Sequence, residues 1–165
     1  MGLTLNAALW LLPLSLPIAL WVAWSDMKFM KIPNKAVLAM AGVWALAGLP
    51  AMSFSLPAWG WGWAVLGIVL VAGFMLSAVG AAGAGDSKFA AAMAPVFSTG
   101  DIRQVLALFA ACLIAAFAVH RLARALPPVR RATPDWASWT HKKFPMGMAL
   151  SGTLIFYLLA PILAN

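Results

Sequence analysis

Four acidic residues make up the whole carboxylate inventory of this 165-residue chain, and all four are aspartates: Asp26, Asp86, Asp101 and Asp135. Asp26 and Asp86 each stand where an apolar run meets a basic segment. An ionisable side chain near hydrocarbon is expensive to keep and marks a functional position by default. Two carboxylates brought together do not both ionise easily. Their titrations are driven apart, leaving one charged and one protonated. The charged member accepts a proton from water while the neutral one donates to a peptide carbonyl oxygen. Such a pair supplies both halves of peptide hydrolysis without a metal or cofactor. The plain alternative, that each acid caps a helix end or balances a nearby lysine, stays open for either acid taken alone.

Glycines crowd one of the two acids: Gly80, Gly83 and Gly85 precede Asp86. Glycine lets another chain come close, as a substrate peptide held extended beside a carboxylate pair requires. Small residues also pack membrane helices together. Gly80 is read in that second way, and Gly83 and Gly85 stay open between the two. Asp26-Met27-Lys28-Phe29 echoes Asp86-Ser87-Lys88-Phe89, a likeness too short to be a repeat. Other chemistries find less support. His120 and His141 lack metal-ligand spacing, and the Gly-rich run before Asp86 lacks the GK[ST] end of a phosphate loop. His120 is expected to mark the end of its helix and His141 to be solvated. Ser25, Ser77 and Ser151 have no evident His or Lys partner. The lone Cys112 excludes an internal disulfide or a CxxC zinc site and reads as a small hydrophobe.

The elements that must position the two acids are membrane helices. Hydrophobic residues make up 64% of the chain and charged ones 9%, against about 25% charged in a soluble domain. With about 20 apolar residues needed per span, roughly five to seven helices fit and little else. A single transmembrane domain with no separate soluble domain is expected over 1–165. No charge precedes Asp26, and the apolar stretch from about Leu3 to Trp24 exceeds the apolar core of a signal peptide, so it is read as a retained helix. The expected class is an all-α polytopic membrane protein of about six transmembrane helices. These run over about Leu5–Trp24, Ala36–Met52, Gly60–Val79, Phe89–Phe97 (short for a span), Ile102–Leu122 and Met146–Leu163. Asn34 is the expected N-cap of the second. Trp59, Trp61 and Trp63 fit an aromatic belt, and Trp136 and Trp139 an interfacial loop.

With the N-terminus outside, every Lys and Arg except Arg103 falls in the first, third and fifth loops, as the positive-inside rule prefers. Asp26 and Asp86 then share the cytoplasmic side. Asp101 falls on the other side and Asp135 in the last basic loop. The net charge of +7 therefore points to anionic lipid headgroups rather than nucleic acid.

Three segments resemble the prepilin peptidases (type IV leader peptidases), which belong with presenilin and preflagellin peptidases among the GxGD aspartic proteases. They are Asp26 followed by Ile32-Pro33-Asn34, Gly83-Ala84-Gly85-Asp86-Ser87-Lys88, and Phe144-Pro145-Met146-Gly147, where Met146 replaces a commoner aromatic residue. The resemblance implies an intramembrane aspartic endopeptidase of the bacterial inner membrane. It would cut leaders from prepilin or pseudopilin-like membrane proteins at the cytoplasmic face. Asp26 and Asp86 become the catalytic pair and Gly83 and Gly85 motif glycines, with Lys88, Ile32, Pro33, Asn34 and Pro145 in support. Larger relatives carry a four-cysteine zinc insertion and methylate the product. This chain is similar instead to the minimal tight-adherence (Flp) pilus peptidases, which implies no metal, no cofactor and no methyltransferase activity.

Two rival readings remain: a small ion-coupled transporter or channel subunit, and a structural membrane subunit. A transporter more often places its acids mid-span within paired, broken-helix halves; here they lie at span ends. The leaders expected as substrates are themselves basic, so basic loops oppose direct steering and fit lipid headgroups better. Neutralising Arg130 and Arg131 to glutamine is expected to leave leader cleavage in membranes nearly intact. A large loss would mean that these arginines act on the substrate.

Overall fold

Backbone in hydrocarbon must satisfy its hydrogen bonds within each segment, which favours helices. The computed structural model describes residues 2–141 and 143–164; Lys142, counted in the last basic loop, lies outside them. Among the described residues, seven α-helices run in order: α1 Leu5–Phe29, α2 Asn34–Ala51, α3 Leu56–Ala78, α4 Ala84–Met93, α5 Ile102–Ala125, α6 Pro127–Ala132 and α7 Met146–Leu163. Short 3-10 helices occupy Ala94–Phe97 and Ala137–Trp139. Five of the seven, α1, α2, α3, α5 and α7, are long and apolar enough to cross a membrane. The chain is an all-α, multi-pass membrane protein.

The expected fourth span is a shorter unit that starts earlier, with α4 opening at Ala84 and passing into the 3-10 helix at Ala94. At 10 and 4 residues the unit is roughly 23 Å long, short of a bilayer core of about 30 Å. Three other boundaries shift for local reasons. Helix α1 continues past Trp24 to Phe29 and stops at Met30, a left-handed residue whose N–H reaches the Asp26 carbonyl. Asp26 therefore lies in the last turn of a helix, not in the loop after it. Pro33, not Asn34, is the N-cap of α2, so Asn34 is the first helical residue. Helix α5 extends to Ala125. His120 is thus inside the helix, buried and stacked on Trp139 at 5.4 Å, rather than at its end.

Helix α1 is the central element, packed against α2 and α7; α4 sits against α2 and α3, and α5 against α7. The interior is filled by Leu11, Met40, Trp44, Phe89, Leu154 and Leu158. Trp44 and Trp59 tie α2 to α3 by reciprocal bonds, each indole N–H donating to the other residue's carbonyl, at 3.2 and 3.1 Å. Trp59 is therefore a packing residue, while Trp61 faces outward. Gly73 lets α3 approach α4, since a Cβ there would meet the Ser87 Cβ at 2.8 Å. Ser77 closes the same contact, its hydroxyl on the Gly73 carbonyl at 2.8 Å and 2.9 Å from the Ser87 hydroxyl. These contacts fix the first turn of α4, where the glycine-rich motif ends.

Candidate active site

Asp26 and Asp86 come from distant parts of the chain and line one cavity of about 500 Å³, together with Ile32, Asn34, Gly83, Gly85 and Lys88. Each carboxylate is held at a helix N-terminus, where unpaired N–H groups and the helix dipole favour negative charge. Helix α7 opens after Pro145, which has no side chain able to cap it. Asp26 caps it from α1 instead, its Oδ2 accepting the Gly147 N–H at 2.7 Å. Asp86 is the third residue of α4 and reaches back to the N–H of Gly83, the residue preceding the helix. That return bond is half of a capping box.

Two glycines are required by these approaches. A Cβ on Gly147 would lie 2.8 Å from the Asp26 Cβ, and one on Gly83 would collide with the Asp86 carboxylate. Gly85 differs: its Cβ position meets Ile32 at 3.5 Å, an ordinary contact. Ile32 thus backs the motif, and the turn that carries it is fastened by the Ser25 hydroxyl donating to the Lys31 carbonyl at 2.9 Å. Pro33 and Pro145 act through the backbone, ending the loops before α2 and α7, and neither lines the cavity. Lys88 is exposed on the cavity rim. Asp101 caps α5, accepting the Arg103 N–H at 2.9 Å, and Asp135 is exposed in the last loop; neither reaches the cavity.

Sequence reasoning gave no role to Gly147, His141, Lys143 or Phe144, yet all but Gly147 line the cavity and Gly147 binds Asp26. His141 is exposed, as expected, but on the cavity mouth, its Nδ1 accepting the Lys143 N–H at 3.0 Å. Phe144 is packed edge-on to His120 at 5.7 Å and against Phe117 at 5.8 Å. This aromatic cluster, with Trp139 bonded to the Thr133 carbonyl at 2.8 Å, holds the segment that delivers Gly147. Among the described residues, no three His, Cys, Asp or Glu side chains gather as a metal centre requires. The cavity offers two carboxylates, backbone donors and a cationic rim.

A family model for the type IV leader peptidase family matches residues 13–120, more than half of the chain. The chain belongs to the type IV leader peptidase family. Membership makes it a leader peptidase, with prepilin-type membrane proteins as its general class of substrate. The match takes in Asp26, the Ile32-Pro33-Asn34 turn and the Gly83–Lys88 motif, and ends before the segment holding Gly147. No curated protein and no solved structure gives a significant match.

In this leader peptidase, burial first and the charge of Asp26 second push the Asp86 carboxyl up to about 6, against the pull of Lys143 and the Gly83 N–H. Asp86 thus keeps its proton well above the ordinary carboxylate range and releases it as pH rises through about 6. Replacing Asp26 by asparagine removes the repelling charge but not the burial. The Asp86 midpoint should therefore move below about 6 without reaching the ordinary range. A carboxyl-carbon NMR titration of both proteins in micelles measures this; an unchanged midpoint would show that the two acids do not interact.

Proposed function

We propose that Asp26 and Asp86 are the catalytic dyad of an aspartic endopeptidase that removes leaders from prepilin-like proteins. The observation that carries this reading is that the two carboxylates share one cavity and that the charge of one raises the titration of the other. The Gly147 N–H at the start of α7 favours a charged Asp26, and Asp86 holds the shared proton. Asp26 takes a proton from a water that adds to the scissile carbonyl carbon, while Asp86 donates its proton to the carbonyl oxygen. The tetrahedral adduct then collapses, breaking the C–N bond as a proton passes to the leaving amine. The acids return to one proton between them.

Gly83 and Gly147 hold the carboxylates in position, and Ile32 and Gly85 hold α4 against the turn ending α1. Pro33 and Asn34 start α2, Pro145 starts α7, and Lys88 stands at the mouth. The chain works as one transmembrane domain in a bacterial inner membrane, its dyad near the cytoplasmic face. It acts as a peptidase without methyltransferase activity, metal or cofactor. Membrane lipid is a partner through the basic loops, and nucleic acid is not.

Cleavage of a co-expressed prepilin-like substrate in membranes tests the dyad. Asp26→Asn and Asp86→Asn should each abolish cleavage while the protein level holds; persistent cleavage by both would make the aspartates structural. The glycines make a sharper geometric forecast in the same assay. Gly83→Ala and Gly147→Ala should lower the rate by about a hundredfold, the order of loss that follows a roughly 1 Å misplacement of reacting groups. Gly85→Ala should cost far less, because its Cβ has room. Equal losses at all three positions would mean that substrate contact, not carboxylate placement, sets the need for glycine.

A further inference from the structure

The dyad cavity does not end at the dyad. Asp86 and Met146 line it and also line an apolar groove of about 340 Å³, which continues into a second of about 280 Å³ through shared walls at Val69, Ala90, Phe109 and Leu150. The floor is α4 with its 3-10 continuation and, beside it, Met146, Leu150 and Thr153 of α7; the rims are α3 and α5. Helix α3 rests on α4 and α5 rests on α7, and the two rims are not packed together along their length. Among the described residues, Asp86 is the only charged one lining either compartment.

Three features choose among possible occupants. The floor from Asp86 to Phe97 spans roughly 20 Å, longer than one leaflet of about 15 Å, half of a 30 Å core. A single acyl chain would cover only part of it. The lining is rich in small residues, with Ala72, Gly73, Ala90 and Ala94 along it. In lipid, where the hydrophobic effect between helices vanishes, such residues favour a second helix through close backbone packing. Finally, the groove opens onto the carboxylate that would face a scissile peptide, so an occupant joined to that peptide gains by continuity.

We propose that the apolar helix of the substrate seats in this groove between α3 and α5, with the end nearest the scissile bond at Asp86. The proposal rests on the dyad reading. Leader cleavage then depends on two separable contacts, the dyad with the extended junction and the groove with the helix behind it. The helix supplies affinity at the groove, and the basic leader gains none from the cationic rim of the cavity.

Two substrates separate these contacts: a full-length prepilin-like protein in liposomes, and a water-soluble peptide carrying only the leader junction. Ala90→Trp or Val69→Trp fills the groove. Each is expected to lower kcat/KM for the full-length substrate by about tenfold or more and to leave cleavage of the peptide near the parent rate. Parent-like cleavage of the full-length substrate by both variants overturns the proposal. Should a variant lose both activities, crosslinking decides. Leu106→Cys or Ile68→Cys is placed in a Cys112→Ala, Asp86→Asn background and oxidised with single-cysteine substrates. Adducts are expected with positions along the substrate's apolar helix, and their absence under conditions that crosslink a cysteine at the cavity mouth refutes the seat. Crosslinking needs no turnover, so a failure of the dyad reading and a failure of the groove are told apart.

Discussion

Everything near the cavity follows from the difficulty of keeping two carboxylates in an apolar bundle. Water is not available to solvate them as it is in bulk, and an isolated charge in such surroundings would neutralise itself or draw in a partner. Among the described residues, no Lys or Arg makes an ion pair with either acid. The fold uses helix ends instead. Asp26 closes the N-terminus of α7 and Asp86 closes that of its own helix α4. A helix N-terminus offers several donors and a partial positive charge without a counter-ion that would fix the acid permanently as an anion. A pair with one proton to share needs this intermediate condition. Asp86 accordingly keeps its proton up to a pH of about 6 and gives it up above that.

That solution imposes its own geometry. Asp26 caps a helix more than a hundred residues away in sequence, so α1 and α7 must meet closely at one level. The Gly147 position, where a Cβ would press on Asp26, is where they do so. Asp86 must fold back over the residue before its helix, and a Cβ on Gly83 would push its carboxylate out of that position. The height of α4 is then set by its neighbours, through Ile32 against Gly85 on one flank and Gly73 with the Ser77–Ser87 pair on the other. Capping and catalysis, posed as rival accounts of these acids, are thus compatible. The hydrogen bonds that cap two helices are the ones that hold two carboxylates at one cavity.

Which parts were legible in the sequence follows from the kind of physics involved. Apolar length is local, so five spanning helices could be read directly, and the limits of the last one, Met146–Leu163, agree with the expected ones. Capping is local only when the cap is a neighbour. Asp101 follows that pattern, whereas the cap of α7 arrives from α1, and no spacing near Pro145 announces it. Gly147 was visible as part of a Phe-Pro-Met-Gly segment, but its need for hydrogen in place of a side chain is a property of two helices together. His120 was misplaced for a related reason. A polar residue near the end of an apolar run looks like a boundary, but the ring is buried by a loop folding back onto it. The start of α4 was read too late because Gly-Ala-Gly is poor in helix propensity. The caps and the packing of Ser87 against α3 override that preference.

The short fourth element connects the acid site to the membrane around it. A unit of roughly 23 Å begins with the glycine-rich motif that carries Asp86, and α3 and α5 stand apart beside it. The same few turns therefore present Asp86 to the cavity and form the floor of a lateral groove leading to it. Proteolysis at a membrane surface has to reconcile a polar reaction centre with a substrate that is largely hydrocarbon-soluble. Here the polar end of α4 and its apolar flank meet those two demands within one element.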